Sequence, residues 1–309
     1  MYKNLIQTLD FDDFKSGSFQ ERKAFINHLT EEFTTVGFFL LKNHGIRTST
    51  LETANKASRD FFALPEEVKK AYEKPELDHQ VGFTPFGIET AIGATDADAK
   101  EFFQLGDRVK APYVNEIPAF TPTYTTLFEE FRYVYRQLLS AVALSLGLHE
   151  SYFDAKEGNS IVRAIFYPPH AIPIVRDEDV VKGGNAIGMC SAAHTDINMI
   201  TLLHATKAGL QLLVEGKWIP ITIDPDTIVV NCGDLLEHLT AGYYKSGSHR
   251  VVCEPNTPRY SVPFFGHIKP EESIVPLQQF TNYDKAKFPH TTAGGFLNER
   301  LAGIGLKNT

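Results

Sequence analysis

Cysteine is scarce in this chain: three in 309 residues, Cys190, Cys232 and Cys253. An odd, sparse set without a Cys-x-x-Cys pair makes neither a disulfide framework nor a structural zinc knuckle, so a reducing, cytoplasmic setting is expected. Positive charge is in deficit, with 30 Lys and Arg against 38 Asp and Glu and a net charge of −8 with neutral His. That balance excludes a general nucleic-acid coat, which needs a basic surface. No apolar run reaches the roughly 18 residues of a membrane span. The first thirteen residues carry acidic groups where a signal peptide would be basic and then apolar. Gly-x-Gly-x-x-Gly and Walker-type loops are missing, which removes the support for a nucleotide fold, and neither internal repeats nor low-complexity tracts are visible. What is present is a globular composition, 43% hydrophobic and 22% charged. It suits a protein that handles a small molecule rather than nucleic acid or a membrane.

The apolar pattern changes period midway. Ser18-Phe-Gln-Glu21 has the form of a capping box, with Phe25, Ile26, Leu29 and Phe33 on one face of the helix it would start. Gly37 ends that helix, and Phe38–Lys42 reads as a buried strand. A second helix begins near Ser49 and ends near Phe61–Leu64, and Pro65 opens a short third. Residues 75–100, rich in Gly, Pro, Thr and Asp, read as a long loop of functional character. The longest helical pattern runs from Phe120 to Gly147. After it come short segments rich in Val, Ile and aromatics: Ile161–Tyr167, Met199–His204, Gly209–Val214, Lys217–Ile221, Thr227–Asn231, Val251–Cys253 and Tyr260–Ile268. Strands at such spacing, with helices first and no regular alternation, imply an antiparallel sandwich or barrel and not a doubly wound sheet.

The sharpest chemical signal is His194-Thr195-Asp196. In a strand, residues i and i+2 point to one side, so an imidazole and a carboxylate would converge. A further imidazole would complete a two-His, one-carboxylate face with open positions, which suits Fe(II) oxygen chemistry. Eleven His and 38 acidic residues make about one such triplet expected by chance, and the chain has one, so spacing alone equally fits a polar turn. Candidates for the third ligand are His249, in Ser246-Gly-Ser-His249-Arg-Val, and His204, His238 and His267. His238 sits in an apparent helical turn, and His204 and His267 end strands, where a satisfied polar role is the plainer one. Arg259 and Ser261 share one strand face, a fork of donors with a hydroxyl beside it, suited to a carboxylate; the plain alternative is a surface Arg on an edge strand.

Taken in order, these elements resemble the isopenicillin-N-synthase-like group of Fe(II)/2-oxoglutarate-dependent dioxygenases. His194-Thr-Asp196, Ser248-His249-Arg-Val and Arg259-x-Ser261 match that family's motifs. So do Gly209-Leu-Gln-Leu-Leu, Trp218-Ile-Pro, Val229-Val-Asn-Cys-Gly-Asp234 and Tyr260–Phe265 between and beside them, and Gly37-Phe-Phe, Asn43-His-Gly45 and Phe166-Tyr-Pro-Pro169 upstream. The resemblance spans roughly Phe33 to His267. It implies a mainly β fold, a double-stranded β-helix (jelly roll) flanked by helices, with residues 1–150 a helical N-terminal region packed on a 151–309 oxygenase core and its C-terminal tail. It implies iron held by His194, Asp196 and His249, and 2-oxoglutarate held by Arg259 and Ser261, with Tyr167 touching cosubstrate or substrate. Plant members usually carry Asn two residues before that Tyr; here it is Ile165. His44 falls at a packing position of the family. Oxidation of a small molecule, by hydroxylation, with dioxygen and with ascorbate as accessory reductant, is the implied activity. Oxidases of the same fold that do without 2-oxoglutarate carry a similar Arg-x-Ser, so the motif leaves them open, and with them desaturation or ring closure as the outcome; a binding protein with a vestigial site is the reading from another class. The loop from Gly82 through Gly93, the stretch Lys100–Gln104 and the tail from Thr291 are expected near the mouth of the barrel, the tail as a lid or as an ordinary terminus.

Overall fold

A computed structural model describes residues 6–91, 97–169, 174–175, 187–224, 226–254, 257–280 and 282–306. The expected tail thus lies within them up to residue 306, and the expected loop up to residue 91; the rest of each lies outside the described residues.

The N-terminal half is built as its sequence directs. After β1 (Thr8–Asp10) and α1 (Phe11–Lys15) comes α2 (Phe19–Thr35). At its start Glu21 N–H donates to Ser18 Oγ and the Glu21 carboxylate accepts from Ser18 N–H, closing the capping box. β2 (Phe38–Lys42), α3 (Thr48–Phe62) and α4 (Glu66–Lys70) follow. The region expected to be one long loop instead holds β3 (Gly82–Thr84), and it leads into β4 (Glu101–Gly106). These two pair as an antiparallel hairpin whose alternation the Gly- and Pro-rich composition hides. α5 (Phe120–Ser145) is the central helix.

The second half contains β5 (Ile161–Tyr167), β6 (Ile174–Val175), β7 (Ile187–His194), β8 (Ile200–Ala205), β9 (Leu210–Val214), β10 (Lys217–Pro220), β11 (Thr227–Cys232), α6 (Asp234–Leu239), β12 (His249–Cys253), β13 (Arg259–Gly266), β14 (Ser273–Ile274), β15 (Thr291–Thr292) and α7 (Ala293–Gly303). The expected strand limits hold to within a residue or two. One sheet has the order β1-β2-β11-β8-β13-β5-β4-β3 and the other β10-β9-β12-β7-β6. From β7 to β13 the chain changes sheet after β7, β8, β10, β11 and β12, which is the jelly-roll winding.

The two faces of β13 show how the site is positioned. Phe264 points outward, 5.4 Å from the Phe128 ring and 5.8 Å from Phe131 on α5, while Arg259 and Ser261 face inward. A buried Phe or Leu of this interface contributes about 1.5–3 kcal/mol, so the α5 contact fixes which face of β13 looks into the barrel. Gly266 lets the strand pass under α5: a Cβ there would lie 2.3 Å from Tyr135 Cε2. Among the described residues, no helix is long and apolar enough to cross a membrane.

Cysteine chemistry departs from expectation. Cys190 on β7 and Cys253 on β12 form a disulfide, and Cys232 is free and buried. The sequence separation of 63 concealed a pair that antiparallel pairing of β7 with β12 brings together, with 6.0 Å between Cα atoms.

Candidate active site

His194 is the last residue of β7 and His249 the first of β12, and the two are direct cross-strand partners. Their ring centroids are 4.3 Å apart. Side chains directly opposed across an antiparallel pair lie within reach of each other, so the register alone makes them neighbours although they stand 55 positions apart. His194 Nδ1 donates to Ala192 O at 2.7 Å and His249 Nδ1 to Gly247 O at 3.2 Å. A carbonyl only accepts, so each ring keeps its proton on Nδ1 and turns the lone pair of Nε2 inward.

Asp196 does not share a strand with His194, contrary to the alternation expected from the sequence: β7 stops at His194, and Asp196 lies in the turn before β8. Its position comes from backbone hydrogen bonds. Asp234 N–H donates to Asp196 O at 2.7 Å and Leu235 N–H to Ile197 O at 3.2 Å. Gly233 makes this approach possible, since a Cβ there would lie 2.1 Å from Asn198 O. Thr201 Oγ1 at 2.6 Å and Asn231 Nδ2 at 2.8 Å both donate to Asp196 Oδ2. Oδ1 is left 3.9 Å from His194 Nε2 and 3.8 Å from His249 Nε2. One ligand atom from each of the three residues lies within 4.8 Å of the others.

Burial by itself would raise the Asp196 pKa, but the two imidazoles and the Thr201 and Asn231 hydrogen bonds outweigh it and hold the carboxyl below its ordinary value. Burial, and His194 next, bring His249 down to about 4, so its ring is neutral at pH 7. Two imidazoles and an ionised carboxylate, each steadied by an outer partner, are a donor set suited to a divalent cation.

Arg259 and Ser261 face Tyr167 and Ile165 across the β13–β5 pair. Arg259 Nε donates to Ala208 O at 3.3 Å, but among the described residues Nη1 and Nη2 are buried without a hydrogen-bond partner. Burial lowers the guanidinium pKa, with Tyr167 opposing. Two idle charged donors in the interior are costly unless an anion meets them. Ser261 and Tyr167, also buried, line the same cavity, which has a volume of about 380 Å³ and reaches the His194/Asp196/His249 cluster.

The remaining candidates are structural or peripheral. His238, on α6, lies 2.9 Å from Pro289 O through Nε2. His44 accepts from Ile46 N–H at 3.1 Å. His204 is half-buried near the end of β8, and desolvation brings its pKa to about 4. His267 lines the cavity but stays outside the cluster of three. α7 and its extension wall the cavity with Leu297, Leu301 and Leu306, so the tail is part of the site's enclosure. Sequence reasoning missed Glu89, Asp98 and Arg163 in the cavity wall. The available signal was a charged residue inside an otherwise apolar strand, as in Ile161-Val-Arg163-Ala-Ile.

Comparison with known proteins gives concordant results. Residues 6–124 match the family model described as non-haem dioxygenase in morphine synthesis N-terminal, and residues 158–268 that of the 2OG-Fe(II) oxygenase superfamily. A proline hydroxylase, buaE, of Petromyces alliaceus is 30% identical over 87% of this chain and 88% of its own. The crystal structure of a 2OG-Fe(II) oxygenase family protein from Caulobacter crescentus is 33% identical, covers 96% of this chain and 98% of its own, and superposes with a TM-score of 0.79. A full-length Neurospora crassa protein, crystallised in complex with alpha-KG and thymine, is 26% identical, with 96% of each chain covered and a TM-score of 0.80.

Proposed function

Because the chain belongs to the 2OG-Fe(II) oxygenase superfamily and is an Fe(II)/2-oxoglutarate-dependent dioxygenase, we propose that His194, Asp196 and His249 hold its iron and that Arg259 and Ser261, with Tyr167 beside them, hold its 2-oxoglutarate. The observation that carries this assignment is the meeting of three ligand atoms within 4.8 Å, in a cavity lined also by a buried guanidinium whose Nη1 and Nη2 have no acceptor among the described residues. Both features fit these groups: two imidazole nitrogens and one carboxylate oxygen suit Fe(II), and an idle Arg fork suits the distal carboxylate of a dianion.

When bound, Fe(II) with 2-oxoglutarate and dioxygen supplies the oxidising chemistry, yielding succinate, CO2 and an oxidised substrate. The chain's own residues provide placement. Thr201 and Asn231 hold one oxygen of Asp196, so the other is presented to the metal. Ala192 O and Gly247 O fix the tautomers of His194 and His249. Arg259 aligns the cosubstrate through charge and Ser261 through its hydroxyl, on the inward face of a strand anchored by α5. α7 walls the cavity and keeps water from it.

We further assign the substrate to small molecules and the outcome to hydroxylation. The modest cavity, which has to take cosubstrate and substrate together, supports this, as do the words proline hydroxylase and thymine in the descriptions of two similar proteins. The N-terminal region 1–150 and the 151–309 core are proposed to act as one unit. The support is that β1, β2, β3 and β4 extend both edges of the sheet that carries β13.

The test is an anaerobic titration of the protein with Fe(II) and then 2-oxoglutarate, followed by visible absorption, with succinate measured after oxygen is admitted. A weak charge-transfer band and succinate release are expected in the wild type, and neither in Asp196→Ala. Formation of the band in Asp196→Ala would refute the ligand assignment.

A further inference from the structure

Among the described residues, eight charged side chains line the cavity, and their pairing bears on the substrate. Asp196 and Arg259 are taken up by the metal and cosubstrate in the assignment above, on which this inference rests. Every one of the other six has an opposite charge beside it. Lys100 Nζ lies 2.8 Å from Glu89 Oε1 and 2.7 Å from Asp98 Oδ2. Arg163 Nη1 lies 3.0 Å from Glu89 Oε2, and Arg300 Nη2 lies 3.7 Å from Asp234 Oδ2. With Fe(II) held by Asp196, and the 2-oxoglutarate dianion held by the metal and Arg259, the charges of the described lining residues sum to zero.

The Glu89 group is nearly sealed from solvent: side-chain exposure is 13% for Glu89, 5% for Lys100 and 9% for Arg163. Burial would raise the Glu89 pKa, but Arg163 and Lys100 prevail and hold it at about 2, so it is ionised at neutral pH. A net charge brought by a substrate would therefore face a balanced, desolvated network in which no described residue has a counterion to spare, an expensive arrangement. Hydrogen-bonding capacity, by contrast, remains. Each Glu89 oxygen takes one donor and has a further lone pair. Arg163 donates through Nε to Gln104 Oε1 at 2.7 Å and through Nη1 to Glu89, and its Nη2 has no hydrogen-bond partner among the described residues. Its guanidinium is kept in place by the Phe102 ring, whose centroid is 3.9 Å away. An acceptor and a donor thus sit side by side on the wall.

We propose that the substrate is a small uncharged molecule with adjacent N–H and C=O groups, an amide, lactam or ureide edge, and that Glu89 and Arg163 read this edge. Glu89 accepts the N–H while Arg163 donates to the carbonyl, a pairing in which each side supplies what the other lacks.

The experiment uses the full chain loaded anaerobically with Fe(II) and 2-oxoglutarate, the visible band confirming loading. Four ring compounds of like size serve as probes: 2-piperidone, N-methyl-2-piperidone, piperidine as a cation and cyclohexanecarboxylate as an anion. Binding is read by ligand-observed NMR and by perturbation of the band. 2-Piperidone should bind best, and N-methylation should weaken it about tenfold or more, the cost of one lost buried hydrogen bond. Glu89→Gln leaves the wall one positive charge in excess and should move the preference toward cyclohexanecarboxylate; Arg163→Gln should move it toward piperidine. Overturning results are a wild type that prefers either charged ring, one that ignores N-methylation, or one that forms the band but binds none of the four. If the band itself never forms in the wild type, the metal and cosubstrate reading fails first and takes this proposal with it. The four-probe ranking needs no variant, so a misfolded mutant does not rescue the idea.

Discussion

Arg259 shows how a single side chain can announce its ligand. Its two terminal nitrogens are buried without acceptors among the described residues, an arrangement that is costly unless an anion meets them. Replacing it with Ala should raise the 2-oxoglutarate concentration for half-maximal succinate formation by about 100-fold, since hydrogen bonds to a charged group are worth about 1.5–3 kcal/mol each. An unchanged requirement would put the carboxylate elsewhere. Glu32 presents the opposite case, a buried acid remote from the site. Burial raises its pKa from 4.5 to about 7, and its Oε2 has no partner. The folded protein therefore holds this proton more tightly than the unfolded chain, and stability falls as pH rises from about 4.5 to about 7. Glu32→Gln should stabilise by about 2 kcal/mol at pH 8 and by little at pH 5. Denaturant unfolding at both pH values checks this, and an equal effect at each would contradict it. The sequence shows that a Glu occupies an otherwise apolar helix face; which partners it lacks is a tertiary fact.

Among the elements, β7 and β12 carry the greatest functional burden. They bear His194 and His249 at one end and are tied by Cys190–Cys253 at the other, each cysteine four positions from its histidine. A cross-link between residues 63 positions apart removes unfolded-state entropy worth about 4 kcal/mol in the simplest chain model. Reduction, or Cys190→Ser with Cys253→Ser, should lower the unfolding midpoint and loosen the iron site. Non-reducing peptide mapping should recover the two cysteines linked; finding both free would remove the tie. Helices and strands with one dominant period were legible here, α2 down to its capping box. The hairpin β3–β4 was not, because Gly and Pro mask the alternation. The position of Asp196 beyond the end of β7 was not either, because a turn held by Gly233 and Asp234 reproduces the convergence that strand alternation would have given.

At the scale of the whole molecule, the N-terminal strands flank the core sheet, and one buried cluster joins α2, α3 and α5 to β8, β11 and β13. Unfolding should consequently show one cooperative transition by both far-ultraviolet circular dichroism and intrinsic fluorescence, and residues 151–309 expressed alone should not fold, since β11 and β5 would become bare edges. Two separated transitions, or a folded fragment, would argue for independent halves. By itself the sequence determined the elements and the chemistry on offer: periodicity is a local property, and the family's motifs stand in order along the chain. Only the tertiary structure decided which groups meet. Register across β7 and β12 placed His194 against His249, the same pairing joined two cysteines that spacing had set apart, and the meeting of Glu89 with Lys100 and with Arg163 of β5 built the ionic wall. Such meetings depend on contacts between distant segments, and no local pattern encodes the distance that folding removes.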